Sequence, residues 1–176
     1  MLALLNIISA EWMKLKRNRI FAVCSLLALF ASAFMVFKDL VIVEHPPENY
    51  QTWMMSVYVV VGAVLSILSG FIITFLMQRE YEDRTINNVL TAPTSRLRFL
   101  MGKLAIWFLW YFGTLIGVVI IYTIGGWLIF ANTFGMAGTK ILITTLLKYC
   151  LLGFVAAVPL LTVSAVSYTH LRAHET

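Results

Sequence analysis

The chain has 176 residues, of which 61% are hydrophobic and only 12% charged, with a mean hydropathy of +0.89. Because soluble domains carry about 25% charged residues, this composition excludes an ordinary soluble domain and a disordered chain. The net charge is +5. Its cations flank apolar stretches, which indicates membrane orientation and lipid-headgroup contact and argues against nucleic acid as a partner. Cys24 and Cys150 lie inside apolar stretches and are typical of small buried hydrophobes.

The first element in chain order is an amphipathic helix over residues 2–15. Its apolar face is formed by residues at spacings of three and four: Leu5, Ile8, Trp12 and Leu15. Four basic residues follow between positions 14 and 19, so the sequence predicts an interfacial helix that leads into a first span. A cleaved signal peptide is the alternative, and the long amphipathic region and the later spans disfavour it.

Four uncharged stretches follow, at residues 20–37, 49–78, 104–139 and 149–171. A membrane-spanning helix needs roughly 20 apolar residues, and from these stretches we predict spans at about 20–37, 54–77, 104–130 and 146–165. Gly125 and Gly126 predict the end of the third helix, with a short interfacial segment after it. The runs are apolar on all sides and do not alternate as barrel strands do. The expected fold class is an all-α polytopic membrane protein.

Basic residues in the connections predict the orientation. The N-terminal segment carries four Lys and Arg and the 78–103 connection carries five, against Lys38 in the first loop and Lys140 and Lys148 before the fourth span. The N-terminus and the 78–103 connection are therefore expected in the cytoplasm. We also expect aromatic belts at the two interfaces, with Tyr50, Trp53 and Trp127 outside. Trp107, Trp110 and Tyr111 are assigned to the inner belt.

The spans are not expected to bury any Asp, Glu, Lys, Arg or His, the groups that ion-coupled carriers and proton relays need at mid-depth. Gly102-Lys103 lacks the upstream glycine and the following Ser or Thr of a phosphate-binding loop. The sequence offers no metal-ligand cluster and no nucleophile–base pair. We therefore expect no catalytic, metal or cofactor site and no ATP hydrolysis by this chain alone.

The 79–96 segment is the informative connection. As a helix it pairs Glu80 with Arg84 at i,i+4 and places Ile86 and Leu90 on one face, and Pro93 ends it. Such a helix suits presentation to a cytoplasmic partner through an apolar ridge with flanking charges. The alternative is a solvated loop whose cations only set topology.

The order of these residues between a second and a third span is similar to that in the permease subunits of ABC type-2 exporters, particularly the bacitracin-resistance and lantibiotic-immunity group. The motif residues are Glu80, Glu82, Thr85, Ile86, Leu90, Pro93, Ser95, Arg96 and Lys103. A basic segment before the first span, Glu11-Trp12-x-Lys14-x-Lys16-Arg17, also resembles that group. The resemblance covers residues 1–165.

The resemblance implies an exporter permease of a bacterial cytoplasmic membrane, in which the motif forms the coupling helix that docks on a separate ABC ATPase. ATP and magnesium would be bound by that ATPase. A second permease copy or a paralogue and the lipid bilayer are the other partners, and an antimicrobial peptide or another amphipathic molecule is the expected substrate. A membrane anchor or sensor that recruits a partner through the same loop, or an ion-coupled carrier, are the alternatives.

Such families usually have six spans, and residues 166–176 resemble the in-frame translation of a transposase-type sequencing adapter. We therefore expect residues 1–165 to be a partial transmembrane domain followed by a non-native tail. Small residues recur every four positions on two spans, at Gly62, Ser66 and Gly70 and at Gly113 and Gly117. They predict close helix packing, within one chain or between two permeases.

Overall fold

The computed structural model describes residues 19–42, 49–82, 96–131 and 133–173. In that part of the chain the secondary structure is helical, with no strand. Helix α1 covers Arg19–Phe37 and continues into a π-helical turn, Lys38–Ile42. The three further helices are α2 at Tyr50–Glu82, α3 at Arg96–Ile129 and α4 at Gly135–Ala173. The interfacial helix expected at residues 2–15 lies outside the described residues.

Each helix contains a stretch that is long and apolar enough to cross a membrane. The stretches are Arg19–Ile42, Tyr50–Leu76, Met101–Ile129 and Gly135–Pro159, with 24 to 29 residues each. At 1.5 Å per residue they are about 36–44 Å long, enough for a hydrocarbon layer of about 30 Å. The all-α polytopic fold class is thereby confirmed.

The start of the fourth helix differs from the sequence-based expectation. Helix α3 ends at Ile129, next to the predicted end of the third span at residue 130, whereas α4 begins at Gly135 and takes in residues that were expected to form a short interfacial segment before a span at 146. A Cβ on Gly126 would lie 2.6 Å from the ring of Phe134. The missing side chain of this glycine therefore leaves space for the Phe134 ring to pack against α3. The chain reverses at Gly135, whose φ of 41° is favourable for glycine.

The helices pack as a bundle in which α1 lies mainly against α3 and α4 mainly against α2, while α2 and α3 contact each other. At the seam between α1 and α3, Leu29 lies over Gly117 and Val36 lies over Gly125. The largest fully buried side chains are aromatic: Trp53, Trp107, Tyr111, Tyr122 and Phe134. Helix α3 is therefore in contact with all three other helices.

Candidate coupling site and aromatic layer

The predicted coupling helix falls largely in a part of the chain that the structure does not describe. Thr85, Ile86, Leu90, Pro93 and Ser95 lie outside the described residues. The flanking positions are described: Glu80 and Glu82 belong to the last turns of α2, and Arg96 is the first residue of α3. The connection therefore joins the end of α2 directly to the start of α3.

Lys103 lies two turns into α3 and is only 2% exposed. It belongs to the candidate span Met101–Ile129, which begins before the predicted position 104. The candidate span of α4 likewise takes in Lys140 and Lys148. The expectation that the spans bury no ionisable group is therefore wrong for Lys103, because the helix extends the span past this residue.

Just beyond Lys103, three aromatic side chains of α3 point into the bundle: Trp107, Trp110 and Tyr111, here called the aromatic layer. Their exposed fractions are 0%, 6% and 1%. They were expected near the inner membrane interface, and they lie inside the bundle and not on its lipid-facing surface, since their polar atoms have partners on the neighbouring helices. Each member bonds to a different helix.

Trp107 donates its indole N–H to Ser69 Oγ of α2 at 3.0 Å. Trp110 donates to Ser25 Oγ of α1 at 2.9 Å and, more weakly, to the Phe21 carbonyl at 3.3 Å. Tyr111 donates its hydroxyl to the Cys150 carbonyl of α4 at 3.0 Å. A polar group in an apolar interior is costly unless it is hydrogen-bonded. These bonds therefore fix the position of α3 relative to the three other helices.

Further contacts reinforce the layer on both sides. Ser25 Oγ also lies 3.2 Å from Thr114 Oγ1 of α3, and the ring of Phe21 meets Trp110 edge-on at 6.4 Å. On the α4 side, Phe154 stacks on Trp107 with ring centroids 4.2 Å apart. Polar residues within transmembrane helices commonly hold neighbouring helices together in this way. Ser25 and Ser69 are polar residues within otherwise apolar runs, and this was the sequence signal for these contacts.

A second aromatic cluster closes the opposite end of the bundle. The ring of Trp53 lies 5.8–6.4 Å from the rings of Tyr122, Phe130 and Phe134. Its indole N–H donates to Asp39 Oδ2 at 2.9 Å, and Asp39 also pairs with Lys38 at 3.0 Å. Trp53 is 1% exposed and therefore belongs to the core, whereas Trp127 is 45% exposed as a belt residue would be.

The small residues chosen from the sequence behave differently from one another. A Cβ on Gly117 would lie 2.7 Å from Leu29 of α1, so this glycine lies at a close helix contact. Gly62 and Gly113 have no atom within 4 Å of an added Cβ, Ser66 is exposed, and the Gly70 carbonyl accepts a bond from Thr74. Gly125 and Gly126, which were not among those small residues, lie at contacts that are equally close, 2.7 Å from Val36 and 2.6 Å from Phe134 for an added Cβ.

These features define a polytopic all-α membrane protein whose third helix begins after the 83–95 connection and is hydrogen-bonded to the three other helices. In the described ranges, no three His, Cys, Asp or Glu side chains come together as a metal site would require.

The chain belongs to the ABC-2 transporter family, since the family described as "ABC-2 family transporter protein" matches residues 7–172. It is thus a permease subunit of an ABC transporter, a membrane transport component that works with an ABC ATPase subunit. Searches of curated proteins and of solved structures gave no match. The family match and helix α4 both include residues 166–172; the non-native origin of residues 166–176 stays a prediction.

Proposed function

We propose that the chain is the permease of an ATP-driven exporter in a bacterial cytoplasmic membrane, with its N-terminus in the cytoplasm. The segment from Glu80 to Arg96 acts as the coupling helix for a separate ATPase, which binds ATP and magnesium. A second permease copy or a paralogue completes the pathway. The substrate is amphipathic, and the sequence resemblance favours the bacitracin-resistance and lantibiotic-immunity group.

The observation that supports this proposal is the hydrogen bonding of the aromatic layer. Helix α3 begins at Arg96, directly after the connection, and its aromatic layer bonds to α2, α1 and α4. A push on the connection is therefore applied to a helix that, in the described part of the chain, is hydrogen-bonded to the other three. Because packed cores are bistable rather than continuously deformable, closure of the ATPase dimer tilts the helices as units.

The experiment is co-purification of the tagged permease with a candidate ABC ATPase, chosen as a product of a neighbouring gene with a phosphate-binding loop motif. Ile86→Asp places a charge on the apolar ridge of the coupling helix, and Arg96→Glu reverses a flanking charge. We expect either substitution to reduce the recovered ATPase by about tenfold, equivalent to about 1.4 kcal/mol of binding free energy, because one places a charge on the apolar ridge and the other reverses a charge beside it.

The matched control is Ile42→Asp, the same change at an exposed isoleucine (59% exposed) at the opposite end of the bundle. It is expected to leave ATPase recovery unchanged. Equal recovery from Ile86→Asp, Arg96→Glu and the unmodified permease would refute the coupling-helix assignment.

A further inference from the structure

Lys103 carries a charge into the interior of the bundle. It is 2% exposed and lies one turn before Trp107 on the same face of α3. A buried ammonium group is stable only where a counter-charge or hydrogen-bond acceptors compensate for the water that it has lost. The register of α3 against α2 indicates which acidic residue is placed to provide that charge.

Two contacts define how α2 and α3 lie side by side. Trp107 of α3 bonds to Ser69 of α2, and the rings of Tyr122 of α3 and Trp53 of α2 lie 5.9 Å apart. From Trp53 to Ser69 α2 advances by 16 residues, and from Trp107 to Tyr122 α3 advances by 15. The two helices are therefore antiparallel and stay level with each other over this distance.

Glu80 lies on the face of α2 that meets α3. It follows Ser69 by 11 residues, which is close to three turns of 3.6 residues. Between them the buried residues Ile73 and Leu76 follow the same face, at 0% and 7% exposed. Lys103 is level with Ile73, and Glu80 therefore lies about 10 Å nearer the connection between the two helices.

The direction of side chains in a helix favours contact between these two positions. A helical side chain tilts towards the N-terminus of its own helix. Because α2 and α3 are antiparallel, a side chain at position 80 tilts into the bundle and one at position 103 tilts towards the connection. The other acidic residues in the described part of the chain are placed differently. Asp39 bonds to Trp53 at the opposite end, and Glu82 is on another face of α2.

We propose that Lys103 and Glu80 form a buried ion pair that joins the end of α2 to the start of α3. The two helices that flank the connection are then held as one rigid hairpin, and a force on the connection moves them together. This mechanical consequence rests on the proposed coupling function, whereas the ion pair itself does not.

The test is a double-mutant cycle on the full-length permease in detergent, with thermal unfolding followed by tryptophan fluorescence. Lys103→Met and Glu80→Leu each leave one buried charge without its partner, and each should lower the apparent Tm by about 8 °C. The double variant replaces the pair by apolar side chains, a change that is often close to neutral. We expect its Tm to lie within about 3 °C of that of the unmodified protein.

Glu82→Leu is the matched control, because it removes a carboxylate from another face of α2. It should leave Tm unchanged and should not rescue Lys103→Met when the two are combined. Additive losses in the variant with Lys103→Met and Glu80→Leu would overturn the inference, and so would an equal rescue by Glu82→Leu. Where a single variant does not fold, the yield of monodisperse protein is compared instead, and no recovery in the double variant has the same meaning.

Limited proteolysis separates a bond at the connection from a general effect on stability. Trypsin cleaves after Lys and Arg, and the connection offers Arg84, Arg96 and Arg98. Well below Tm, Lys103→Met should be cleaved there about tenfold faster than the unmodified protein, because the start of α3 opens locally. Gly125→Ala disturbs the contact with Val36 in the other half of the bundle and should not accelerate this cleavage.

Equal cleavage rates in Lys103→Met and Gly125→Ala would count against the ion pair. Both measurements use the permease without an ATPase. A failure to co-purify an ATPase would therefore count against the coupling-helix assignment alone.

Discussion

Gly125 shows how one missing side chain positions two helices. A Cβ at this residue would lie 2.7 Å from both methyl groups of Val36 on α1. Valine is branched at Cβ and has little rotameric freedom to move aside. The contact therefore depends on glycine, even though glycine in a helix interior is less favourable than alanine by roughly 0.5–1 kcal/mol.

We predict that Gly125→Ala destabilises the protein, because overpacking of a well-packed contact costs about 1–3 kcal/mol. The two native cysteines, Cys24 and Cys150, are buried and unpaired. A thiol-reactive fluorogenic maleimide therefore reports unfolding in detergent. The expected fall in apparent Tm is about 5 °C.

Gly113→Ala is the control, since an added Cβ there meets no atom within 4 Å, and it should leave Tm unchanged or raise it slightly. Val36→Ala combined with Gly125→Ala should recover part of the loss, because the two residues are in contact. If Gly125→Ala and Gly113→Ala have the same Tm, the result would contradict a tight contact between α1 and α3 at Gly125.

Helix α3 illustrates what an element adds to its residues. Three neighbouring aromatic side chains at spacings of three and four would form one lipid-facing stripe on an isolated helix. In the bundle their N–H and O–H groups reach α2, α1 and α4. The helix that receives the connection from α2 thus holds the others through directional bonds as well as packing.

Ser25→Ala tests this arrangement with a small change in volume. It removes the acceptor of the 2.9 Å bond from Trp110 and the neighbour of Thr114 Oγ1, while the weaker bond to the Phe21 carbonyl remains. Interhelical hydrogen bonds in membrane proteins contribute about 0.6–1.7 kcal/mol. We therefore expect the apparent Tm to fall by about 2–4 °C in the same maleimide assay.

Ser56→Ala makes the same substitution at an exposed residue of α2 and should have no measurable effect. In the permease–ATPase complex, Ser25→Ala should also weaken the stimulation of ATP hydrolysis by a bound amphiphile, since α1 is less firmly held to α3. A Ser25→Ala protein as stable as Ser56→Ala would mean that packing alone holds α1 against α3.

At the scale of the whole molecule, the sequence predicted the fold class and the number of helices from charge-free runs, because the membrane sets both the length and the composition of a span. It did not predict where α4 begins, since Lys140 and Lys148 interrupt the charge-free run from which the fourth span was expected at 146, whereas α4 starts at Gly135.

The candidate site was predictable to a different extent at each position. The coupling motif rests on residue order, and most of it lies outside the described residues. Trp107, Trp110 and Tyr111 were visible as aromatic residues, but their inward direction depends on Ser69, Ser25 and the Cys150 carbonyl on other helices. Contacts between residues distant in sequence are set by packing, which a single sequence does not encode locally.

The position of α4 also sharpens the orientation prediction. Lys140 and Lys148 lie inside the helix, so the connection between α3 and α4, residues 130–134, contains no Lys or Arg. The N-terminal segment then carries four Lys and Arg residues and the 78–103 connection carries five, whereas the connections on the other side carry Lys38 alone. By the positive-inside rule, the Asp39–Trp53 end of the bundle should face away from the cytoplasm.

Cysteine labelling of intact bacterial cells with a membrane-impermeant maleimide checks this orientation. Gln51 and Gln78 are exposed near the two ends of α2, about 40 Å apart along the helix. Gln51→Cys should be labelled on intact cells, and Gln78→Cys only after the membrane is permeabilised. The unmodified protein supplies the background, because Cys24 and Cys150 are its only cysteines and both are buried. The reverse labelling pattern would place the 78–103 connection outside the cell, where no ATPase could reach it, and would contradict the coupling-helix assignment as well as the topology.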